Sequence, residues 1–300
     1  MKKSYTIRIL LVTVSILFGL LSLQSCQKDN SETGQSSVPV SFQTAMTRVA
    51  SIETLESFTI TAFLDDASST YFMKEQNVAL VGGDWIYSPV KYWPHEGAVH
   101  FMAYSTSLET NRMSTPTFEK AGGVFQATFD YTLPNPDESA NENAKYQPDI
   151  VFSFQTGRTK NDGNVKFIFS HALTAIQFKV GTVPENTTLE RIEFINIRNS
   201  ASCTVTGTSD ADISYSWTVN PEASRLDYKQ KFDSMPIADG NVISDIADPT
   251  TFMMIPQTLD DKAHLRLYVE VDGVSQTRQV SLEGTTWLPG EIHTYTISLD

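Results

Sequence analysis

The chain is written in short runs that alternate apolar and polar residues. This period of two, broken every few residues by Gly, Pro, Asn or Asp, confines it to strands with one buried face. Phe58-Thr59-Ile60-Thr61-Ala62-Phe63 and Val124-Phe125-Gln126-Ala127-Thr128-Phe129 are the clearest cases. Similar runs occupy 98–104, 150–154 and 172–180, then 189–197, 202–205, 213–219, 252–255, 265–271, 277–282 and 293–299. No stretch carries the 3.6-residue apolar period of a long amphipathic helix. Many short strands separated by turns predict an all-β chain of antiparallel sandwiches. One sandwich needs about 100 residues, which leaves enough chain for a second. The interruption Gly181-Thr182-Val183-Pro184-Glu185-Asn186-Thr187-Thr188 marks the expected join, between an N-terminal sandwich over 38–180 and a C-terminal one over 181–300.

The first residues have a separate purpose. Lys2, Lys3 and Arg8 introduce an apolar run that closes in Leu23-Gln24-Ser25-Cys26. The run is short of the roughly 20 residues that span a bilayer, so 1–25 reads as a signal peptide. A cysteine at this point is what lipid attachment requires, which makes Cys26 the expected lipidation site and first mature residue. Residues 26–37 are polar and read as a flexible tether. The chain holds 22 basic and 35 acidic residues, net −13, and losing Lys2, Lys3 and Arg8 leaves 19 against 35, net −16. Such acidity disfavours nucleic acid as a partner, and any membrane attachment must come from lipid rather than from a basic patch. Cys203 is the only other cysteine, so with Cys26 acylated no internal disulfide forms. A buried, inert thiol is expected there.

Chemistry-bearing patterns are sparse. His95, His100, His171, His264 and His293 show no metal-ligand spacing, and neither a zinc cluster nor a calcium loop occurs in the sequence. No metal, cofactor or catalytic residue is expected. His171, in Phe169-Ser170-His171-Ala172-Leu173, reads as a structural hydrogen-bonding residue. Gly82-Gly83-Asp84 leads into another strand-like run, so it reads as a hairpin turn rather than a phosphate cradle. Trp85, Tyr87, Tyr92 and Trp93 are either core residues or a sugar-stacking platform.

The most suggestive segment is Val38-Pro39-Val40-Ser41-Phe42-Gln43-Thr44, followed by Ala45-Met46-Thr47-Arg48-Val49. Val38, Val40 and Phe42 alternate and are expected on one buried face. At roughly 1.5–3 kcal/mol per buried large apolar side chain, the strand would contribute on the order of 5–9 kcal/mol. Cleavage between Arg48 and Val49 by a trypsin-like protease would let this strand leave and open a groove with an unpaired edge. Otherwise Arg48 is an ordinary exposed loop residue.

The segment Trp85-Ile86-Tyr87-Ser88-Pro89-Val90-Lys91-Tyr92-Trp93-Pro94, followed by Val99-His100-Phe101-Met102-Ala103-Tyr104, resembles the paired signature of the fimbrillin family. Members of that family are lipoprotein pilins and accessory subunits of strand-exchange fimbriae. Asp149-Ile150-Val151, 165–173 and the closing stretch 287–297 agree in order. The resemblance implies two consecutive transthyretin-like sandwiches and export as a lipoprotein to the cell surface. It also implies removal of the first strand by an arginine-specific protease, with Arg48 at the cut, and partnership with other pilin subunits by donor-strand insertion. Because Ser298-Leu299-Asp300 follows the last strand directly, no donor extension is expected, which favours a non-enzymatic tip or accessory adhesin with a surface receptor. The alternatives are an uncleaved fimbrial anchor, or a stand-alone glycan-binding lipoprotein using Trp85 and Trp93. Asp233-Ser234-Met235 resembles a tripeptide that carries O-glycans in some such bacteria.

Overall fold

Alternation becomes pairing at β3 (Ser57–Leu64), which lies between β4 (Tyr71–Val81) and β7 (Val99–Thr106) in antiparallel register. The structure, a computed structural model, describes residues 35–46, 55–66, 70–106, 112–121, 124–134, 147–208, 212–243 and 251–299. Adding β2 (Phe42–Met46), β5 (Asp84–Ile86), β10 (Ile150–Arg158) and β11 (Val165–His171) gives a seven-stranded sheet ordered β2-β11-β10-β7-β3-β4-β5. The turn from β4 to β5 is Gly82-Gly83, at φ +63° and +96°. A two-residue hairpin of this hand needs φ > 0 at both positions, which glycine takes without a steric clash.

Both faces of this sheet are covered. Phe58, Ile60, Phe101, Phe167 and Phe169 join Val40, Phe42, Val78 and Trp93 in a first core. Trp93 comes from β6 (Tyr92–Pro94), the partner of β1 (Gln35–Pro39). The opposite face presents Met102, Ile150, Phe152 and Phe154 to a second sheet. That sheet is ordered β15-β14-β9-β8, from β8 (Thr117–Ala121), β9 (Val124–Thr132), β14 (Ser200–Gly207) and β15 (Ser214–Val219). Phe152 stacks on Phe129 at 5.3 Å. A strand buried on both faces loses its polar alternation, which is why β10 reads Ile-Val-Phe-Ser-Phe.

The remaining strands face one another. β12 (Thr174–Val180) runs between β17 (Phe252–Met254) and β20 (Ile292–Ile297). Opposite it, β13 (Thr187–Arg198) lies between β16 (Arg225–Pro236) and β18 (His264–Val271), with β19 (Val274–Ser281) at the edge. Phe194 is the centre of this packing, 5.4 Å from Trp287 and 5.9 Å from Phe178. The architecture is all-β sandwich, and each of the period-two runs overlaps a strand.

The two halves interlock. β9 and β14 pair from Ser200↔Thr132 to Gly207↔Phe125, so residues on either side of Val180 share one sheet. The described residues belong to one compact unit. The longer strands β4 and β16 escape the period-two pattern because bulged positions interrupt it: Glu75 and Ser234 sit at φ +46° and +43°.

Replacing Phe152 with alanine should lower unfolding free energy by about 3–5 kcal/mol. Val124→Ala, at an exposed position of β9, should stay within about 0.5 kcal/mol. Urea unfolding of the two variants measures both.

Candidate functional site

The candidate site is the seat of the N-terminal strand. Val40 is 2% and Phe42 5% exposed, whereas Val38 is 43% exposed. The expectation that all three share one buried face is therefore corrected for Val38. The chain changes partners between Pro39 and Phe42: β1 pairs with β6 through an irregular register, and β2 then pairs with β11. Alternation does not carry across such a change.

β2 forms the edge of the seven-stranded sheet and runs parallel to β11, from Phe42↔Val165 to Met46↔Phe169. The crossing point is pinned by hydrogen bonds. The Val165 amide donates to the Ser41 carbonyl at 2.8 Å, and the Val40 amide to the Lys91 carbonyl at 2.9 Å. The Tyr87 hydroxyl donates to the Val40 carbonyl at 2.9 Å, and the Ser41 hydroxyl to the Asn164 carboxamide. Burial raises the Tyr87 pKa, which keeps this phenol a donor. Below the crossing, Phe42 contacts four rings: Tyr87 at 5.3 Å, Phe167 at 5.8 Å, Phe101 at 6.1 Å and Phe58 at 6.2 Å. With two rather than three side chains inserted, the apolar contribution is about 3–6 kcal/mol. Taking the strand away would uncover Phe167 and leave β11 as a bare edge.

Cys26, Arg48 and Val49 lie outside the described residues. By position, Arg48 belongs to the connection between β2 and β3. Tyr87, Asn164 and Phe167 were not singled out as contacts of this strand by sequence reasoning. Tyr87 stands in the Trp85–Pro94 signature, but its bond to Val40 is a tertiary feature with no local signal.

The other candidates separate. Trp93 is 1% exposed and packs edge-on against Phe101 at 5.7 Å, while Trp85 packs on Phe58 at 4.8 Å. A platform using Trp85 and Trp93 together is thereby excluded: only Tyr92 of the aromatic group is largely exposed, at 41%. His171 Nδ1 lies 2.6 Å from Asp149 Oδ2, both buried, so folding supplies a carboxylate partner from distant sequence. Ser170, the preceding residue, turns to the other face and bonds the Tyr215 hydroxyl at 2.7 Å, so the three do not line up as nucleophile, base and acid. Cys203 is buried, and burial pushes its thiol pKa upward, away from the reactive thiolate. Ser234 is exposed beside buried Met235. Among the described residues no group of three or more His, Cys, Asp or Glu side chains is placed to hold a metal.

The fimbrillin-like family matches residues 45–300. The chain belongs to the fimbrillin-like family. The match begins within β2, so β1, Val40 and Phe42 precede it. A fimbrial protein from Bacteroides vulgatus has a TM-score of 0.57 and 17% identity, covering 87% of this chain and 94% of its own. A candidate cell adhesion protein from Bacteroides uniformis has a TM-score of 0.50 and 16% identity over 87% and 94%. At these identities the likeness is one of fold. No curated protein matches this fimbrillin-like chain in sequence.

Two outcomes are expected. Phe42→Ala should cost about 3–5 kcal/mol and Val38→Ala no more than about 0.5 kcal/mol, read by denaturant unfolding. The second concerns pH. His100 stacks on Phe125, takes a hydrogen bond from the Gly157 amide and lies 3.2 Å from Asp65. Burial lowers its pKa below 6.5, the Asp65 hydrogen bond opposing, and burial lowers His293 likewise. Both therefore take up protons on unfolding in the window just below pH 6.5, and stability falls as pH drops through it. His100→Gln should flatten that slope in pH-dependent urea titrations; an unchanged slope would contradict the assignment.

Proposed function

We propose that the protein is a non-enzymatic, pilin-type adhesive subunit of a surface fimbrium whose N-terminal strand is a removable plug. The observation that carries this reading is the seating of Val40 and Phe42 in the first core by a strand that sits at a sheet edge. An edge strand can leave without breaking the ladder between other strands, and what it leaves is an apolar groove beside unpaired backbone. Family membership supports the fimbrial and adhesive class.

In the finer reading, Cys26 carries the lipid that holds the exported chain at the outer membrane, and a protease cuts after Arg48. Excision of 26–48 removes β1 and β2, and a donor strand from another subunit fills the groove. The body consists of an N-terminal sandwich over 38–180 and a C-terminal one over 181–300, joined by the β9–β14 ladder. The subunit takes a tip or accessory position and presents a receptor-binding surface on its loops. An uncleaved anchor retaining its plug and lipid is the alternative. The buried position of Trp93 weighs against a stand-alone lectin built on Trp85 and Trp93.

Digestion of the mature chain with an arginine-specific protease tests this reading. Intact mass should report a cut between Arg48 and Val49, and the cut form should lose its N-terminal fragment to an added alternating apolar peptide. A chain resistant at Arg48, or a cut chain that never exchanges its fragment, would contradict it.

A further inference from the structure

A second feature lies away from the plug, where the end of β13, the turn after β15, the start of β16 and the segment between β17 and β18 converge. They border a half-open cavity of about 190 Å³ lined by Asn196, Arg198, Arg225, Gln257, Thr258 and Asp260, with Leu259 and Val219 as apolar lining. That is below the ~300–1,000 Å³ of sites for drug-sized molecules, and suits a single sugar ring.

The polar groups here are unequally committed. The Arg225 guanidinium grips Asp260 with both terminal nitrogens and also donates to the Asn196 carbonyl. Asp260 takes a further hydrogen bond from the Lys262 amide at 3.1 Å. Among the described residues the Arg198 guanidinium donates one hydrogen bond, to the Pro221 carbonyl, and its Nε is 3.9 Å from Asp260. Two guanidinium groups thus share one carboxylate, and among the described residues most of the Arg198 donor fork has no acceptor, inside a chain of net charge −13. Gln257 is buried and turns its amide nitrogen to the carbonyls of Arg198 and Ile255, at 3.2 and 3.3 Å. Its carboxamide oxygen takes no hydrogen bond from a described residue. Asn196 stands at φ +58°, where β13 bulges, and Asp227 accepts its amide proton at 2.9 Å.

We propose that this cavity binds one acidic sugar residue. Arg198 holds the sugar carboxylate, the Gln257 oxygen accepts a ring hydroxyl, and Leu259 and Val219 meet the apolar face of the ring. A guanidinium fork matches a planar carboxylate with two parallel hydrogen bonds. The neutral acceptor and the apolar lining select a sugar over a bare anion. This deepens the adhesive part of the reading above and does not depend on the plug.

The test is saturation-transfer NMR and calorimetric titration of the uncut mature chain. The probes are galacturonic acid, N-acetylneuraminic acid, galactose and inorganic phosphate. Saturable binding of an acidic sugar is expected, with galactose and phosphate weaker by about tenfold or more. Arg198→Gln should weaken acidic-sugar binding by a similar factor, and Arg198→Lys should restore only part of it. Circular dichroism of each variant establishes that it folds, and the wild-type probe series stands without the variants. The proposal is overturned if acidic and neutral sugars bind alike, if phosphate binds as well as either acid, if nothing binds at millimolar concentration, or if a folded Arg198→Gln binds unchanged. Strand exchange after protease treatment is read separately, so either result can fail alone.

Discussion

The first core depends on one ring. Phe42 reaches it from β2, an edge strand held in the sheet by its parallel pairing with β11, and it touches Phe58, Tyr87, Phe101 and Phe167 at once. These rings come from β3, the loop after β5, β7 and β11, so a single side chain ties together segments separated by more than a hundred residues. Backbone bonds at Val40 and Ser41 hold the strand in place, and each is an exchangeable strand-edge contact rather than a covalent tie. The same arrangement gives stability while the strand is present and would leave the acceptor groove that the proposed exchange needs if the strand were removed. An apolar contribution of about 3–6 kcal/mol is comparable with the ~5–15 kcal/mol net stability of a domain, so an empty groove would be short-lived without a replacement strand.

The seven-stranded sheet confines that vulnerability. Its second face is committed to the β15-β14-β9-β8 sheet through Phe152, Phe129 and Tyr215, and that core runs on into the packing around Phe194 and Trp287. None of these contacts involves β1 or β2. In the proposed exchange, loss of the strand would expose one core while the other stays closed, as a change of partner strand without unfolding requires.

Much of this was legible in the residues. Period-two runs located strands such as β3 and β9, and Gly82-Gly83 marked its hairpin because only glycine takes both of its φ angles readily. The apolar character of Val40 and Phe42 pointed to a buried strand. Other features depend on long-range pairing and carry no local mark. Val38 belongs to the same alternation as Val40, yet the switch of partner from β6 to β11 places it in solvent. β4 and β16 were obscured by bulges at Glu75 and Ser234. The pairing of β9 with β14, which joins the halves, has no signature in either strand. The cavity at Arg198 was equally hidden: Arg198, Arg225 and Asp260 are well separated in sequence and meet only when β13 pairs with both β16 and β18.

The most direct test of the plug is hydrogen exchange at the β11 amides, compared between the intact mature chain and the chain freed of residues 26–48. The Val165 amide, which donates to Ser41, and its neighbours facing β2 should lose protection on excision and regain it when an alternating apolar peptide is added. Amides of β13 and β18 should be unaffected. Unchanged protection at Val165 after excision, or loss of protection throughout the chain, would contradict a removable plug.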